Sequence, residues 1–406
     1  MKNLYFLILV VILYSCSKNK TNNLEIAQWR GDNRDGKYNE TGLLKSWPAN
    51  GPTLLWFNDS IGNGYGSPAI TSEAIYVQGE IDSIGYLFAF DLKGKLLWKS
   101  NYGKEWMENY IGSRSTPTVI GDLIYVCSGM GEITCFEKEK GSKKWSKNMI
   151  SDFHGKNIHF GFSESLLVDD STVFASPGGK DTNIVALNRF SGDLKWICKG
   201  EGKVSAYCSP LLIKFASRKV IVTFTANELL GIDAKDGNIL WQHKQDTFCI
   251  IHANTATFEN GSIYYAAGCG NGTVKLSITE DGSKVKEVWK SKSLVNYISG
   301  IIKINDKIYG ACEERNKWIS IDANSGKPID SLDFKKGITI YADSMLYLYN
   351  EKGQVALVNP YANKMELIST FKIDKGTKEH FSHPVIKNGL FYVRRGQSLM
   401  VYNLKR

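Results

Sequence analysis

The sequence lacks the short motifs that mark common catalytic sites. It has no G-x-S-x-G turn, no phosphate-cradling glycine loop and no helical zinc motif. Its eight cysteines include neither an adjacent pair nor a C-x-x-C pair. Lys and Arg are scattered along the chain although the net charge is +9, so no basic stripe indicates nucleic acid as a partner.

Long apolar runs are also scarce, and the longest of them stands at the N-terminus. One early cation, Lys2, precedes an apolar run from Leu4 to Tyr14. A membrane-spanning helix needs about 20 residues, so this shorter run indicates a cleaved signal peptide over residues 1–15. The stretch Leu-Tyr-Ser-Cys at 13–16 resembles a bacterial lipobox, which predicts lipid attachment at Cys16. The alternative is an ordinary secretory signal followed by a chance cysteine.

A polar stretch follows Cys16 and favours the lipobox. Residues 16–26 include Ser-Lys-Asn-Lys-Thr-Asn-Asn, which cannot pack and suits a flexible tether to a membrane. Seven cysteines then remain in the mature chain, an odd number for an oxidising compartment. Most lie in apolar segments that resemble strands and are expected to be small buried residues. Cys249 and Cys269, in contrast, are candidates to meet across neighbouring strands.

A repeated segment is the main signal in the chain. Residues 89–98, 135–145, 186–196 and 231–241 each show an apolar strand end, an acidic or amide residue, a turn glycine and a strand that closes on tryptophan. The tryptophans from Trp98 to Trp289 are 47, 51, 45 and 48 positions apart. A period in the forties with four strands per unit is typical of a β-propeller blade.

Counting the repeats predicts an all-β, eight-bladed propeller over residues 27–406. In the sixth and seventh units the tryptophan position is expected to be taken by Asp330 and Leu367. The eighth unit stops at Arg406 without an outer strand, while residues 53–57 form a strand-like segment with nothing before it. We expect that segment to complete the last blade and close the ring, which removes two exposed sheet edges. Residues 27–52 are expected to form a strap across the bottom of the propeller.

These features resemble a known family. The pattern Ala-x-Asp-x-x-(Thr/Ser)-Gly-x-x-x-Trp, nearly complete in 231–241, and the opening WRGDNRDG at 29–36 are similar to PQQ-binding-like β-propeller repeat proteins, which include BamB-like lipoproteins and quinoprotein dehydrogenases. The resemblance implies that tryptophans dock neighbouring blades. These are Trp56, Trp98, Trp145, Trp196, Trp241 and Trp289.

The residues just before each innermost strand should surround one mouth of the central channel, where propellers usually bind ligands. They carry recurring aromatic and serine residues, which suit either a ligand site or ordinary strand starts. The candidates for a ligand site supply one cation, titratable rings and stacking faces. They are Arg114, Tyr207, His252, Tyr297 and His383.

No metal is expected. His154, His159, His252 and His383 do not show the spacing of a metal site. We therefore expect a monomeric binding or scaffold protein of the cell envelope, without catalysis or a cofactor, which presents loops or the channel mouth to a protein, peptide or glycan. The alternative is a dehydrogenase that oxidises alcohols or sugars with PQQ and calcium; the missing Cys-Cys pair and the short chain weigh against it.

Overall fold

Strand-forming sequence alternates with Gly, Asp and Asn turns throughout the chain, and the structure follows that alternation. It is a computed structural model that describes residues 24–406. The expected signal peptide, Cys16 and most of the expected tether lie outside the described residues. Within residues 24–406 the only helix is a single 3-10 turn, Gly200–Gly202. In this part of the chain, no helix has the length and hydropathy needed to cross a bilayer.

Eight antiparallel blades, numbered here in chain order, form a ring, which confirms the predicted fold class. The strands of blades 1 to 4, from innermost to outermost, are Ala69–Ile70, Ala74–Ile81, Ile84–Asp91 and Leu96–Lys104; Thr118–Ile120, Leu123–Cys127, Glu132–Glu137 and Lys143–Asn148; Leu167–Asp169, Thr172–Ala175, Ile184–Asn188 and Leu194–Cys198; Leu211–Lys214, Lys219–Thr225, Glu228–Asp233 and Ile239–Lys244.

Blades 5 to 8 repeat this plan. Their strands are Thr257–Glu259, Ser262–Ala267, Gly272–Ile278 and Val285–Ser291; Ile301–Ile304, Lys307–Cys312, Lys317–Asp322 and Pro328–Leu332; Gly337–Ala342, Met345–Asn350, Gln354–Asn359 and Glu366–Lys372; Val385–Lys387, Leu390–Arg395, Ser398–Asn403 and Leu54–Asn58.

The last of these strands closes the ring, as the sequence predicts. Leu54–Asn58 runs antiparallel to Ser398–Asn403, with Trp56 opposite Val401. The N-terminal part of the chain therefore supplies the outer strand of blade 8, and the strand lies one residue later than expected. This pairing covers the outward edge of Ser398–Asn403, which would otherwise be exposed.

The turn chemistry explains how each blade meets the next. The Asp91 carboxylate accepts hydrogen bonds from the backbone N–H groups of Lys93 and Lys95, both at 2.9 Å. Gly94 adopts φ 86°. The ring of Trp56 packs on Gly94 so closely that a Cβ there would lie 2.8 Å from it. The glycine is therefore needed both for the backbone conformation and for the close approach of the neighbouring tryptophan.

Five of the six docking tryptophans hydrogen-bond to the turn of the next blade. Trp98 donates its indole N–H to the carbonyl oxygen of Lys138 at 3.2 Å. The same bond recurs from Trp145 to Arg189, Trp196 to Ala234, Trp241 to Gly282 and Trp289 to Ala323. In blade 6, Asp330 occupies the tryptophan position and accepts the Met365 N–H at 2.6 Å.

The expectation for the seventh unit is wrong by two residues. Leu357 pairs with Ser369, so Ser369 and not Leu367 holds the tryptophan position of blade 7. The outer turn there is longer, since Val358 pairs with Leu367 whereas in blade 6 Ile321 pairs with Pro328. The two additional residues shift the outer strand, and a repeat count along the sequence cannot detect that shift.

Residues 25–38, called the hub segment from here on, lie at the axis of the ring. Ile26–Ala27 adds a strand to the inner edge of blade 2, and Lys37–Tyr38 adds one to blade 7. Between them Arg34 is buried, with its guanidinium donating to the carbonyl oxygens of Ser165 at 2.9 Å and Pro210 at 3.1 Å. The first part of the segment expected as a strap, residues 27–38, thus fills the center of the ring.

The hub segment makes polar contacts to all eight blades or to the residues that lead into them. The contacts, from blade 1 onward, are Glu25 to Ser72, Ile26–Ala27 to Val119 and Ile120, Arg34 to Leu166, Arg34 to Pro210, Lys37 to Glu259, Arg30 to Ile301, Lys37–Tyr38 to Tyr341 and Ala342, and Tyr38 to Pro384. Buried charged side chains cost free energy unless they are hydrogen-bonded, and here these bonds tie separate blades together.

Candidate functional site

The residues that lead into the innermost strands surround a cavity of about 660 Å³ at one end of the ring axis. This volume lies within the range that small-molecule sites occupy. The hub segment closes its lower end with the side chain of Trp29, so the channel is a pocket on this side. We call this cavity the mouth pocket. Its principal side chains are Trp29, Tyr65, Tyr110, Arg114, Phe160, Tyr207, Tyr297, Glu313, Glu314, Lys336, Glu351, Phe381 and His383.

The serines that recur just before the innermost strands hold the blades together. The Ser67 N–H donates to the Thr116 hydroxyl at 3.1 Å, and the Thr116 N–H donates to the Ser165 hydroxyl at 2.9 Å. The Ser165 N–H then donates to the Ser209 hydroxyl at 2.9 Å. All four residues are buried. Three of them, Ser67, Ser165 and Ser209, border the mouth pocket. The Ser165 and Ser209 hydroxyls accept bonds of this belt, which joins blades 1 to 4, while the Ser67 hydroxyl donates to the His383 carbonyl oxygen.

Five aromatic rings from blades 8, 1, 2, 3 and 4 form a continuous arc along one side of the pocket. Phe381 contacts Tyr65 and Tyr110, with ring centroids 6.0 and 5.8 Å apart. Tyr110 contacts Phe160 at 5.9 Å, and Phe160 contacts Tyr207 at 5.8 Å. The rings are tilted against one another, the arrangement that aromatic quadrupoles favour. This aromatic arc presents an apolar wall to a ligand.

Two tyrosines of the arc have an uncommon backbone conformation. Tyr110 adopts φ 51° and Tyr207 adopts φ 66°, in the left-handed region where glycine or asparagine is usual. Such a conformation costs about 1–2 kcal/mol for an L-residue with a side chain. The bonds around Tyr207 compensate in part, since its hydroxyl accepts the Phe160 N–H at 3.1 Å. Strained backbone at two positions of one cavity wall is typical of functional sites.

Arg114, the cation expected at the mouth, is committed to the protein itself. Its guanidinium donates to the carbonyl oxygens of Tyr110, Gly112 and Asn109, at 2.6, 2.9 and 2.6 Å, and its Nε donates to the carbonyl oxygen of Phe160. It also lies 5.7 Å from the ring center of Trp106. Arg114 therefore shapes the loop that carries Tyr110 and has few N–H groups left for a ligand.

Acidic side chains of blades 6 and 7 line the opposite side of the pocket. Glu313 accepts the backbone N–H groups of Tyr297 at 3.0 Å and Ile298 at 3.3 Å through its Oε1 atom. Its Oε2 atom is shielded from water and has no hydrogen-bond partner among the described residues. Burial raises the pKa of Glu313 to about 7 although those N–H groups favour the charged form. Glu314 beside it is exposed.

The structure brings four of the five expected mouth residues to one pocket, namely Arg114, Tyr207, Tyr297 and His383. His252 does not border it, because its ring is buried, stacks on Phe224 with centroids 4.4 Å apart and contacts the Cys249 carbonyl oxygen at 2.9 Å. His383 is buried beside Arg30, and burial together with that guanidinium lowers the pKa of His383 to about 3. It therefore stays neutral and adds no charge to the pocket.

Sequence reasoning missed Trp29, Tyr110 and the Glu313–Glu314 pair. Tyr110 lies in a loop before the second blade, and the glutamates follow the second strand of blade 6, so none belongs to a segment that leads directly into an inner strand. Trp29 reaches the axis only because the hub segment folds back through the ring. Tyr110 and Glu313 both lie in loops on the mouth side of the ring. Considering all of those loops, and not only the residues just before each inner strand, identifies both.

A disulfide supports one wall of the pocket. Cys249 and Cys269 are joined, as the sequence suggested, and the other described cysteines are free and buried. The bond links the loop that carries Ile251, a pocket residue, to the loop of Gly268. The ring of Tyr297 packs against Gly268 closely enough to leave no room for a Cβ there. The disulfide thus holds two elements of the pocket wall in place.

A second cavity of about 540 Å³ lies at the other end of the innermost strands, between the hub segment and blades 3 to 5. Asp169, Lys214 and Glu259 border it. Most of its charges are paired, since Lys214 lies 2.8 Å from Asp169 and Lys37 lies 3.3 Å from Glu259. The mouth pocket, with its unpaired acidic groups, is the better candidate site.

The quinoprotein alternative requires a site for calcium beside PQQ. Residues 24–406 contain no group of three or more His, Cys, Asp or Glu side chains placed to hold a metal. The mouth pocket is large enough for a tricyclic ring. Its acidic residues, however, do not converge on one point as calcium ligands do. Residues 24–406 therefore show no carboxylate cluster that would hold the calcium of a calcium-bound quinone.

A family model described as outer membrane protein assembly factor BamB matches residues 83–330. No curated protein matches the sequence. Among solved structures, BamB from Moraxella catarrhalis superposes with a TM-score of 0.63 at 13% identity, covering 87% of this chain and 98% of that one.

Redox enzymes share the same architecture. A quinohemoprotein alcohol dehydrogenase from Pseudomonas putida superposes with a TM-score of 0.67 at 11% identity, covering 92% of this chain and 79% of that one. A europium-containing methanol dehydrogenase gives a TM-score of 0.60 at 9% identity, covering 91% of this chain and 90% of that one. Likenesses at such low identity establish the fold and leave the function to the site.

Proposed function

Because the chain belongs to the family described as outer membrane protein assembly factor BamB, we propose that it is a non-catalytic binding module of the cell envelope, anchored through Cys16, whose mouth pocket takes a segment of a protein, a peptide or a glycan. The observation that carries this proposal is the mouth pocket itself. It is open at one end, closed by Trp29 at the other, and walled by side chains from most of the blades.

Apart from its carboxylates, the polar groups around the pocket are committed to contacts within the protein, which favours binding over catalysis. Arg114 and the hydroxyls of Ser67, Ser165 and Ser209 are engaged in hydrogen bonds within the protein. His383 is neutral and contacts Arg30 and Trp29. A general base needs a free lone pair within reach of a substrate proton and a pKa near the working pH, and His383 meets neither condition.

Capture of a partner from a bacterial envelope fraction tests the proposal. The full chain is compared with two variants that fill the pocket from different blades, Ala253→Trp and Ser163→Trp, and with Lys95→Trp, which adds the same side chain to an exposed turn at the opposite end of the ring. We expect the wild type and Lys95→Trp to retain the same partner and both pocket variants to lose it. Circular dichroism and the urea midpoint confirm that each variant is folded.

Two results would contradict the proposal. Capture that persists in both folded pocket variants would place binding on the rim loops. Dye-linked oxidation of an alcohol or sugar by the purified chain, appearing on addition of PQQ and calcium and absent without them, would instead establish the quinoprotein alternative.

A further inference from the structure

The mouth pocket is divided into an apolar half and an acidic half. The aromatic arc forms the wall on blades 8 and 1 to 4. The wall on blades 6 and 7 carries Glu313, Glu314 and Glu351. A ligand that fills the pocket therefore meets rings on one side and carboxylates on the other.

The acidic half carries three carboxyl groups and one ammonium group. Lys336 pairs with Glu351 at 3.4 Å, and no Lys or Arg within residues 24–406 pairs with Glu313 or Glu314. Arg114, the other basic side chain of the pocket, donates to backbone carbonyl oxygens at the aromatic arc and pairs with neither glutamate. This local excess of carboxylate stands out in a chain whose net charge is +9.

One carboxylate oxygen of Glu313 lacks a hydrogen-bond donor. One of its oxygens caps the Tyr297–Ile298 turn, while Oε2 is shielded from water and lacks a partner among the described residues. A buried acceptor without a donor costs free energy, and a charged N–H donor is the partner that restores most of it. Neighbouring Glu314 is exposed at the same wall and supplies a second carboxylate.

We infer that the mouth pocket binds a ligand that carries an ammonium or guanidinium group next to a ring or another apolar part. The cation lies at Glu313 and Glu314, and the apolar part lies on the aromatic arc. This inference rests on the proposed function and names the chemistry that its ligand must have. The two halves therefore recognise different parts of one ligand, the cation by charge and the apolar part by contact with aromatic rings.

Three probes of one shape and different charge test the inference. Phenethylamine, 2-phenylethanol and phenylacetate share a phenyl ring on a two-carbon chain and are cationic, neutral and anionic at neutral pH. We expect phenethylamine to bind the full chain about tenfold more tightly than 2-phenylethanol, and phenylacetate to bind most weakly, since a charged hydrogen bond is worth about one tenfold step or more. Saturation-transfer NMR titrations measure all three affinities.

The variants localise the effect. Glu313→Gln keeps the acceptor for Tyr297 and Ile298 but removes the charge, so it and Glu314→Gln should each reduce the preference for phenethylamine several-fold, and the double variant should abolish it. Glu280→Gln, an exposed carboxylate on an outer turn of blade 5, is the matched control and should change nothing. The urea midpoint of each variant shows that the fold is retained.

The outcomes separate the inference from the function on which it rests. Equal affinities for the three probes, all abolished by Ala253→Trp, would overturn the cationic ligand and leave the pocket as a binding site. Failure of phenethylamine to bind, or a preference for it that survives in the double variant, would also overturn the inference. Probe binding that persists in Ala253→Trp and Ser163→Trp would contradict both proposals.

Discussion

The indole of Trp29 meets the imidazole of His383 edge to face, with ring centroids 5.3 Å apart. Trp29 belongs to the hub segment, and His383 leads into blade 8. His383 also accepts the Ser67 hydroxyl of blade 1 through its carbonyl oxygen at 2.7 Å. These two contacts of His383 join the floor of the mouth pocket to the two blades where the ring closes. The hub segment therefore supports both the fold and the site.

Removing a buried arginine of the hub segment should destabilise the whole ring. Arg34→Ala leaves the carbonyl oxygens of Ser165, Leu166 and Pro210 without their charged donor. We expect the free energy of unfolding to fall by about 3 kcal/mol or more, because each buried acceptor left unpaired costs about 1–3 kcal/mol. Urea denaturation measures this change. Arg315→Ala, an exposed arginine, is the control; an equal effect of both would show that the hub segment does not hold the ring.

Two variants of Trp145 should separate the contributions of packing and hydrogen bonding to the contacts between blades. Trp145→Ala removes a nearly buried ring and should cost about 3–5 kcal/mol. Trp145→Phe retains most of the ring but loses the bond to the Arg189 carbonyl oxygen, 2.9 Å long in the wild type, and should cost about 1–2 kcal/mol. Equilibrium unfolding of the three proteins gives both values. Identical losses for the two variants would show that the hydrogen bond alone docks the blades.

Breaking the disulfide should lower both stability and probe binding. For the 20-residue separation of Cys249 and Cys269, the loss of loop constraint amounts to about 3 kcal/mol. The double variant Cys249→Ser/Cys269→Ser should unfold at lower urea concentration, and reduction of the wild type should match it. Affinity for the pocket probes should also fall, because the loops that carry Ile251 and support Tyr297 become free. Cys198→Ser, at a free thiol on the outer strand of blade 3, should leave probe affinity unchanged; a similar loss there would contradict the role of the disulfide.

Stability should depend on pH through Glu164. Burial raises the pKa of this carboxyl from 4.5 to about 8, although the Ser176 N–H and Arg34 favour its charged form. Between these values the folded protein binds more protons than the unfolded chain, so the contribution of Glu164 is fully present below about pH 4.5 and is lost as the pH rises through about 8.

The variant Glu164→Gln should remove this dependence. As the pH rises from 5.5 to 8.5, the free energy of unfolding of the variant should increase relative to that of the wild type, by an amount on the order of a few kcal/mol. Urea titrations at several pH values measure the difference. Glu139→Gln, on an exposed turn, is the control. A constant difference between Glu164→Gln and the wild type over this range would show that Glu164 does not titrate in it.

Local sequence was sufficient to predict the repeating architecture. The strands, the Asp–Gly turns and the tryptophan ends recur in sequence order, and each depends on contacts among residues close in the chain or on one tryptophan reaching the next turn. The closing strand was also predictable, because Trp56 carries the motif and the eighth unit has no outer strand of its own. The same reasoning was wrong for Leu367, since a longer turn changes the register without changing the repeat.

The site was predictable only in outline. The segments that lead into inner strands contain Tyr207, Tyr297 and His383, and the ring topology brings these to one mouth. His252 has the same position in the sequence pattern, yet it turns inward onto Phe224. Periodicity gives the position of a residue along a strand, while the direction of its side chain at the start of that strand depends on the neighbouring blade.

The sequence by itself thus determined the number of blades, their strands, their docking tryptophans and the closure of the ring, because those features repeat and rely on local turn chemistry. Only the tertiary structure decided that residues 25–38 fill the axis, that Arg114 is committed to backbone carbonyl oxygens, and that Glu313 faces the aromatic arc across a pocket. These relationships join residues far apart in the chain. They arise from burial and hydrogen bonding at the one place where all eight blades meet.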